Sequence, residues 1–353
     1  MNDKKTEENM KKNRQIIDTA GAVIISSASA VGGKEFEGPL GGCFDFHDPK
    51  DLFGQKTFEK SEAEMQRLVL AAAIGRVGTR AEDIDALFAG DLLNQCVSSA
   101  YGLLEYDIPY FGLYGACSTA AEGLMLASLF VSHTSASYAA AVTSSHNAAA
   151  ERQYRNPLEY GGQRTPTAQW TVTGAGAFIV GKDDEVDRGE VLADVECAFP
   201  GIVVEKGITD AANMGAAMAP AAADTLLNFF EASSTTPADY DMLVSGDLGS
   251  EGVAILGELL GASGVDASGK LYDCGIMIYD AIAQDVHAGG SGCGCSAVVL
   301  ASHLLPRLKR GEISNILFYG TGAMMSPSSL KQGLAIPAVA HLLHLRAPVA
   351  RIK

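Results

Sequence analysis

The chain carries one pattern twice. Asp83-Ile-Asp-Ala-Leu-Phe-Ala-Gly-Asp-Leu92 is matched by Asp239-Tyr-Asp-Met-Leu-Val-Ser-Gly-Asp-Leu248. Farther along, Cys117-Ser118 and the apolar run behind it correspond to Cys295-Ser296 and its run, and Thr143 falls on Thr321 at that same offset. Three landmarks in one order make chance repetition a poor account. The period is also far too long for a solenoid. A duplicated, βαβ-rich half fits better, with two sheets packed about a pseudo-twofold. The second copy has a longer spacing between its first two landmarks, either an insertion or a longer loop. The division expected is a solvated charged tail over 1–19, an N-terminal half over 20–185 and a C-terminal half over 186–353.

Short apolar runs closed by Gly, Ser or Asp predict strands at Ala22–Ser26, Ala86–Ala89, Tyr110–Leu113, Ala139–Thr143, Ala175–Val180, Met242–Ser245 and Ile316–Tyr319. Uninterrupted apolar strands of this kind are buried on both faces. Met65, Leu68, Val69 and Ala72 recur at i, i+3, i+4 and i+7, which predicts a helix over Ser61–Ile74 ended by Gly75. Helices are also expected over Asn213–Ala232, Ile255–Leu260 and Ala297–Leu308. Strand and helix in alternation predict an α/β fold with parallel sheets.

Composition removes several function classes. The formal net charge is −16 and aromatic content is 7%, so neither a basic face nor a stacking platform for nucleic acid is available. No apolar run approaches the ~20 residues of a membrane-spanning helix; one of the stronger, Gly123–Val131, is under half that length. Met1–Gln15 is rich in Lys, Glu and Asn and lacks the apolar centre of a secretory signal. Seven cysteines, an odd number, point to free thiols in a reducing compartment. Cys293 and Cys295 are spaced C-x-C with no second pair, so no metal site is expected.

Gly112-Leu-Tyr-Gly-Ala-Cys117-Ser-Thr-Ala-Ala-Glu-Gly123 is the most informative stretch. A strand ends at Leu113, small residues turn the chain, and a helix begins at or just after Cys117. Free N–H groups and the helix dipole at such a turn are expected to lower the thiol pKa. Gly115 and Ala116 are expected to leave room for a ligand. The alternative is a small buried residue at a tight turn.

Gly-Ala-Cys-Ser-Thr-Ala resembles the nucleophile turn of thiolases and ketoacyl-carrier-protein synthases. The duplicated halves suit that superfamily, whose fold is layered α-β-α-β-α. Those enzymes bring histidine, or histidine and asparagine, from the second half to activate the thiol and stabilise an oxyanion. Here the corresponding turns read Ser245-Gly-Asp247-Leu and Gly289-Gly-Ser-Gly-Cys-Gly-Cys295, without histidine. His287 precedes the second turn, either as a partial substitute or as a surface or packing residue. Gly320-Thr-Gly-Ala-Met-Met325 lacks the second cysteine of thiolases.

Longer motifs narrow the resemblance. Val31-Gly-Gly-Lys-Glu-Phe-Glu-Gly-Pro-Leu-Gly41, Ala89-Gly-Asp-Leu-Leu-Asn-Gln95, Thr143-Ser-Ser-His-Asn147, Glu151-Arg-Gln-Tyr-Arg155 and Glu159-Tyr-Gly-Gly-Gln163 are similar to the stage V sporulation protein AD family of spore-forming Firmicutes. Trp170-Thr-Val-Thr-Gly-Ala-Gly176, Ala217-Met-Ala-Pro-Ala-Ala-Ala-Asp-Thr225 and Ala288-Gly-Gly-Ser-Gly-Cys-Gly-Cys-Ser-Ala-Val-Val-Leu300 resemble it too. The likeness runs from about residue 20 to about 340. It implies a thiolase-like fold used for binding without catalysis. The implied ligand is dipicolinic acid, pyridine-2,6-dicarboxylate, or its calcium chelate, taken into the developing spore. Implied partners are the other stage V A-group proteins at the spore inner membrane, with this chain a soluble protein at its periphery. A homodimer follows by analogy with thiolase-like folds.

A planar dianion needs donors and a slot. Cys117 and Ser118 at the turn, Ser291 in the glycine-rich turn, and His146, Asn147, Arg152 and Arg155 beyond the fourth strand are the candidate contacts. Arginine suits a dicarboxylate because its planar fork holds a carboxylate bidentately. Arg152 is otherwise a surface ion pair, and His146 a satisfied core residue. Trp170 is either a slot wall or core. Asp91 and Asp247, in the repeated Gly-Asp-Leu, either cap turns or meet calcium. Acyl transfer through Cys117, and a scaffold docking to membrane partners without a small molecule, remain the competing readings.

Overall fold

The computed structural model describes residues 14–154 and 164–348. Ten principal strands follow in order: β1 (Ala22–Gly32), β2 (Ala86–Gly90), β3 (Tyr110–Leu113), β4 (Tyr138–Ser145), β5 (Gly174–Lys182), β6 (Ala193–Phe199), β7 (Met242–Ser245), β8 (Leu271–Asp273), β9 (Asn315–Ala323) and β10 (Ala338–Arg346). The main helices are α1 (Phe58–Val77), α2 (Thr119–His133), α3 (Asn147–Tyr154), α4 (Met214–Ser233), α5 (Gly249–Ala262) and α6 (Cys293–Val299).

The strands lie in the order β8-β7-β9-β10-β6-β1-β5-β4-β2-β3. This path is two five-stranded arrays with the same internal plan. In the first, β2 runs parallel to β3 and β4, while β5 returns antiparallel between β4 and β1. In the second, β7 runs parallel to β8 and β9, while β10 returns antiparallel between β9 and β6. The arrays join through Val23 opposite Asp194 and Ile24 opposite Ala193. The expectation of parallel sheets is therefore corrected. Strand–helix alternation describes the three parallel strands of each array, and the return strands β5 and β10 add antiparallel ladders.

Helices form three layers around these arrays. α1 packs on β1, β4 and β5; α4 packs on β9, β10 and α5; α2 and α6 lie between the arrays and touch both each other and the strands. Alternate strand residues serve different layers. Ala139, Ala141, Phe178 and Val180 face the central core, whereas Ala140, Val142, Ala177 and Ile179 face α1. On β9, Ile316 and Phe318 face the centre while Leu317 and Tyr319 face α4. This is why the strands read as unbroken apolar runs.

Local boundaries shift in instructive ways. The Thr57 side chain caps α1 by accepting from the Lys60 N–H. The helix runs through Gly75, which tertiary packing overrides, and stops at Gly78, whose φ of +71° suits glycine. The Ile255–Leu260 expectation is the centre of α5, and the Ala297–Leu308 helix begins earlier, at Cys293. The tail is already part of the fold from Arg14, whose guanidinium pairs with Asp224 and donates to the Pro200 carbonyl, while Ile17–Asp18 pairs with β6.

A buried carboxyl joins the halves. Glu35 is 1% exposed; its Oε1 accepts from the Thr173 N–H and the Tyr279 hydroxyl, while Oε2 meets no protein donor among the described residues. Burial pushes its pKa up to about 7, more than those hydrogen bonds lower it. The folded protein thus binds a proton that the unfolded chain releases above about pH 4.3. That stabilisation is complete below the unfolded pKa and is lost as pH rises through about 7. Glu35→Gln keeps both Oε1 contacts and removes the titration. In denaturant unfolding at pH 5 and pH 8, the wild type should lose more stability than Glu35→Gln across that interval, by up to ~3 kcal/mol.

Candidate functional site

The chain leaves β3 at Leu113, passes Tyr114 and Gly115, makes one tight turn over Ala116–Ser118, and enters α2. Side chains staple the turn. The Ser118 hydroxyl donates to the Gly115 carbonyl at 2.7 Å, and Thr119 Oγ1 donates to the Ala116 carbonyl at 2.7 Å. Ala116 has a φ of +50°, a left-handed conformation costing a non-glycine residue ~1–2 kcal/mol. A Cβ on Gly115 would lie 2.5 Å from Ser118 Oγ and from Glu122 Oε2. Gly115 is thus small because Ser118 and Glu122 crowd it, not to keep an approach open; Ala116 does border the cavity.

Strand β9 presses directly on this turn. A Cβ on Gly320 would lie 2.7 Å from the Ala121 Cβ, and one on Gly322 would overlap the Gly115 carbonyl. Between them, the Thr321 hydroxyl donates to Asp247 Oδ1 at 2.9 Å. Asp247 Oδ2 accepts from the Gly292 N–H at 2.9 Å and the Ser291 hydroxyl at 3.2 Å. The Ser291 hydroxyl lies 3.9 Å from Cys117 Sγ. Cys117, Ser291 and Asp247 therefore meet at one point, and the turns expected to face each other across the halves do so.

The electrostatics there correct the thiolate expectation. Burial raises the Cys117 pKa well above the usual thiol value, and the Asp247 carboxylate raises it further. Hydrogen bonds from Ser291 and Gly292 lower it by less. The turn and dipole are present, but a dry site beside an acid outweighs them, so the thiol is neutral. Asp247 is itself raised by burial against the hydrogen bonds it accepts.

Leu92, Tyr114, Ala116, Cys117, Ala150, Glu151, Tyr154, Thr171, Met214, Ser291, Ala323 and Met325 line a narrow cavity above the thiol. Its volume is about 40 Å³. Among the described residues no lysine or arginine lines it, and Glu151 is the charged member.

Several candidate residues lie elsewhere. Ser118 is buried beneath the turn. His146 is 1% exposed, with Nε2 bonded to the Asp51 carbonyl and its ring against Phe58; burial lowers its pKa, as in a core histidine. Asn147 donates from Nδ2 to the Thr171 carbonyl and fixes the start of α3. Arg152 leaves the cavity to pair with Glu59. Arg155 lies outside the described residues. Trp170 stands behind the wall with Lys34 Nζ 4.3 Å and Arg164 Cζ 4.9 Å from its ring centre. Asp91 accepts from the Leu93 and Ser99 N–H groups and the Ser99 hydroxyl, so it caps its own turn. His287 bonds the Thr165 carbonyl and Asp285. No three His, Cys, Asp or Glu side chains converge on a metal position among the described residues.

The cavity residues that sequence reasoning did not single out are Leu92, Tyr114, Ala150, Glu151, Tyr154, Thr171, Met214, Ala323 and Met325. Tyr114 and Tyr154 lie within quoted motifs but carried no chemistry of their own. Their hydroxyls bond to each other, and Tyr154 donates to the Leu92 carbonyl at 2.6 Å. A larger groove of about 670 Å³ runs between α1 and the Val97–Gly102 helix. None of its lining residues borders Cys117.

The fold has known counterparts. The 3-oxoacyl-[acyl-carrier-protein] synthase III of Aquifex aeolicus VF5 is similar with a TM-score of 0.56 at 14% identity, over 92% of this chain and 100% of that one. Human mitochondrial 3-ketoacyl-CoA thiolase, solved with CoA, matches at 0.56 and 12% identity, over 94% and 99%. These show a thiolase-like fold. Stage V sporulation protein AD of Bacillus subtilis (strain 168) is 42% identical over 318 residues, 90% of this chain and 92% of that protein. The family model for stage V sporulation protein AD matches residues 13–346. The chain belongs to the stage V sporulation protein AD family.

Proposed function

We propose that this sporulation protein binds dipicolinate in the Cys117 cavity and does not turn it over. The observation that carries the reading is the setting of the thiol. Cys117 occupies the nucleophile position of a thiolase-like fold, yet its immediate polar neighbours are Ser291 and Asp247. Acyl transfer through cysteine needs a thiolate, a base within about 3 Å and donors for an oxyanion. A neutral thiol fails the first of these demands, its neighbouring carboxylate Asp247 opposes formation of the thiolate, and His146 and His287 are engaged with other groups. What remains is a small cavity with apolar walls and hydroxyls from Tyr114, Tyr154, Thr171 and Ser291, the composition of a recognition site.

Charge favours one form of the ligand. The described lining supplies Glu151, with Asp247 just below Ser291, and no cation. A free dianion would meet like charge. The calcium chelate of dipicolinate is neutral and carries a hard cation that prefers carboxylate oxygen. We place the chain at the inner-membrane periphery, delivering the chelate to other stage V A-group proteins, a reading that rests on its family; no helix among the described residues is long and apolar enough to cross a membrane. We also propose a homodimer formed at β3, an outer edge of the sheet where Tyr110 and Phe111 are exposed. An apolar edge strand is a template for pairing with another chain.

Calorimetric titration with dipicolinate, with and without calcium, should give saturable heat, with the higher affinity in the presence of calcium. Acyl-coenzyme A labelling of the protein should be absent; labelling that disappears in Cys117→Ser would replace this reading with acyl transfer. Ala116→Leu should weaken binding at least tenfold by filling the cavity. Cys117→Ala should weaken it only a few-fold, and Arg152→Ala should leave it unchanged. Light scattering should report twice the chain mass, and Phe111→Glu should reduce it to one.

A further inference from the structure

The walls of the Cys117 cavity differ sharply in how they are held. The inner wall of Cys117, Ser291 and Ala323 stands on the turn before α2, the turn before α6, and the end of β9; these residues are 5%, 2% and 5% exposed. The outer wall is α3, which presents Ala150, Glu151 and Tyr154 to the cavity. Ala149 and Ala150 are its buried residues.

The two ends of α3 are also anchored differently. At its start, the Asn147 backbone N–H donates to Thr173 Oγ1 and its Nδ2 to the Thr171 carbonyl, each at 3.1 Å. At its end, the contacts to the body among the described residues come from three successive side chains. Arg152 pairs with Glu59. Gln153 Nε2 donates to the Leu92 carbonyl at 3.0 Å, and its Oε1 accepts from the Asn94 N–H at 2.9 Å. The Tyr154 hydroxyl donates to the Leu92 carbonyl and accepts from Tyr114.

The chain immediately after the gripped residues is strained. Gln95 and Cys96 have φ of +58° and +51°, two consecutive non-glycine residues in the left-handed region. Each costs ~1–2 kcal/mol, which the grip from α3 helps to hold. The cavity it borders is about 40 Å³, far below the ~300 Å³ at the small end of ligand sites.

We propose that α3 is a gate hinged at Asn147, that Tyr154 and Gln153 are its latch on Leu92 and Asn94, and that release of the latch opens the cavity to a small molecule. The inner wall cannot supply this movement, because its residues are embedded in the central layer. The gate concerns access and holds for any small occupant, so it stands or falls apart from the identity of the ligand.

The test is alkylation of the full-length protein with iodoacetamide, read cysteine by cysteine through peptide masses. Cys43 is exposed and Cys274 is 0% exposed, so they serve as internal references for reagent and for core loosening. Tyr154→Phe should speed Cys117 modification several-fold, and Tyr154→Phe with Gln153→Ala at least tenfold, with Cys43 and Cys274 unchanged. Cys117 modification at the wild-type rate in both variants overturns the gate. So does a parallel rise at Cys274, which would show general loosening in place of a hinged opening.

Discussion

Asp247 is taken wholly out of water, and a buried carboxylate is tolerated only where donors surround it. Its donors come from separate parts of the chain: Thr321 on β9, and Ser291 with the Gly292 N–H ahead of α6. The carboxylate thereby fixes the start of one central helix against the strand on which the Cys117 turn rests. Gly320 and Gly322 extend the arrangement, since β9 and the turn approach too closely for side chains between them. Loss of the carboxylate would strand several buried donors at ~1–3 kcal/mol each. The position of the thiol and the shape of the cavity floor follow from this one group, which also adds to the burial that keeps the thiol neutral.

The repeated Gly-Asp-Leu shows how duplication and specialisation coexist. In the first copy Asp91 folds back on Leu93 and Ser99 and serves its own turn. In the second, Asp247 reaches across to other segments, while the local N–H groups of Leu248 and Gly249 are capped by Asp273 instead. Identical sequence at matched places in two arrays thus does two jobs. The difference arises because Asp273 relieves the second copy of its turn.

Much of the fold was legible because it rests on periodicity. Each expected strand falls within an observed one, and the Asp91 and Asp247 turns follow the equivalent strands β2 and β7, but the third landmark slips by one residue, since Gly90 pairs with Thr143 whereas Ser245 pairs with Tyr319. The antiparallel return strands β5 and β10 were not legible as such, since a strand buried on both faces carries no mark of its direction. The meeting of Cys117 with the turns that carry Asp247 and Ser291 followed from the resemblance of the Cys117 turn to the thiolase nucleophile turn. Arg152 did not follow: it is one residue from the cavity wall in sequence, but its place on α3 turns it to Glu59. Met214 and Met325 could not be foreseen, because tertiary packing alone brings them over the thiol. The thiol's protonation was misread for a related reason. A helix terminus is visible in sequence, whereas the desolvation that overrides it is not.

Trp170 gives this arrangement an optical consequence. It is the chain's single tryptophan, its ring has Lys34 and Arg164 within cation–π range, and its strand Trp170–Thr171 is laddered to Gly290–Ser291. Ser291 touches Cys117, and Thr171 lines the cavity. The indole is therefore one residue away from the cavity wall and rigidly registered to its floor, in a field set by two fixed cations. The protein carries its own fluorophore at the point where displacement of the floor strand changes the distance between an excited dipole and those charges.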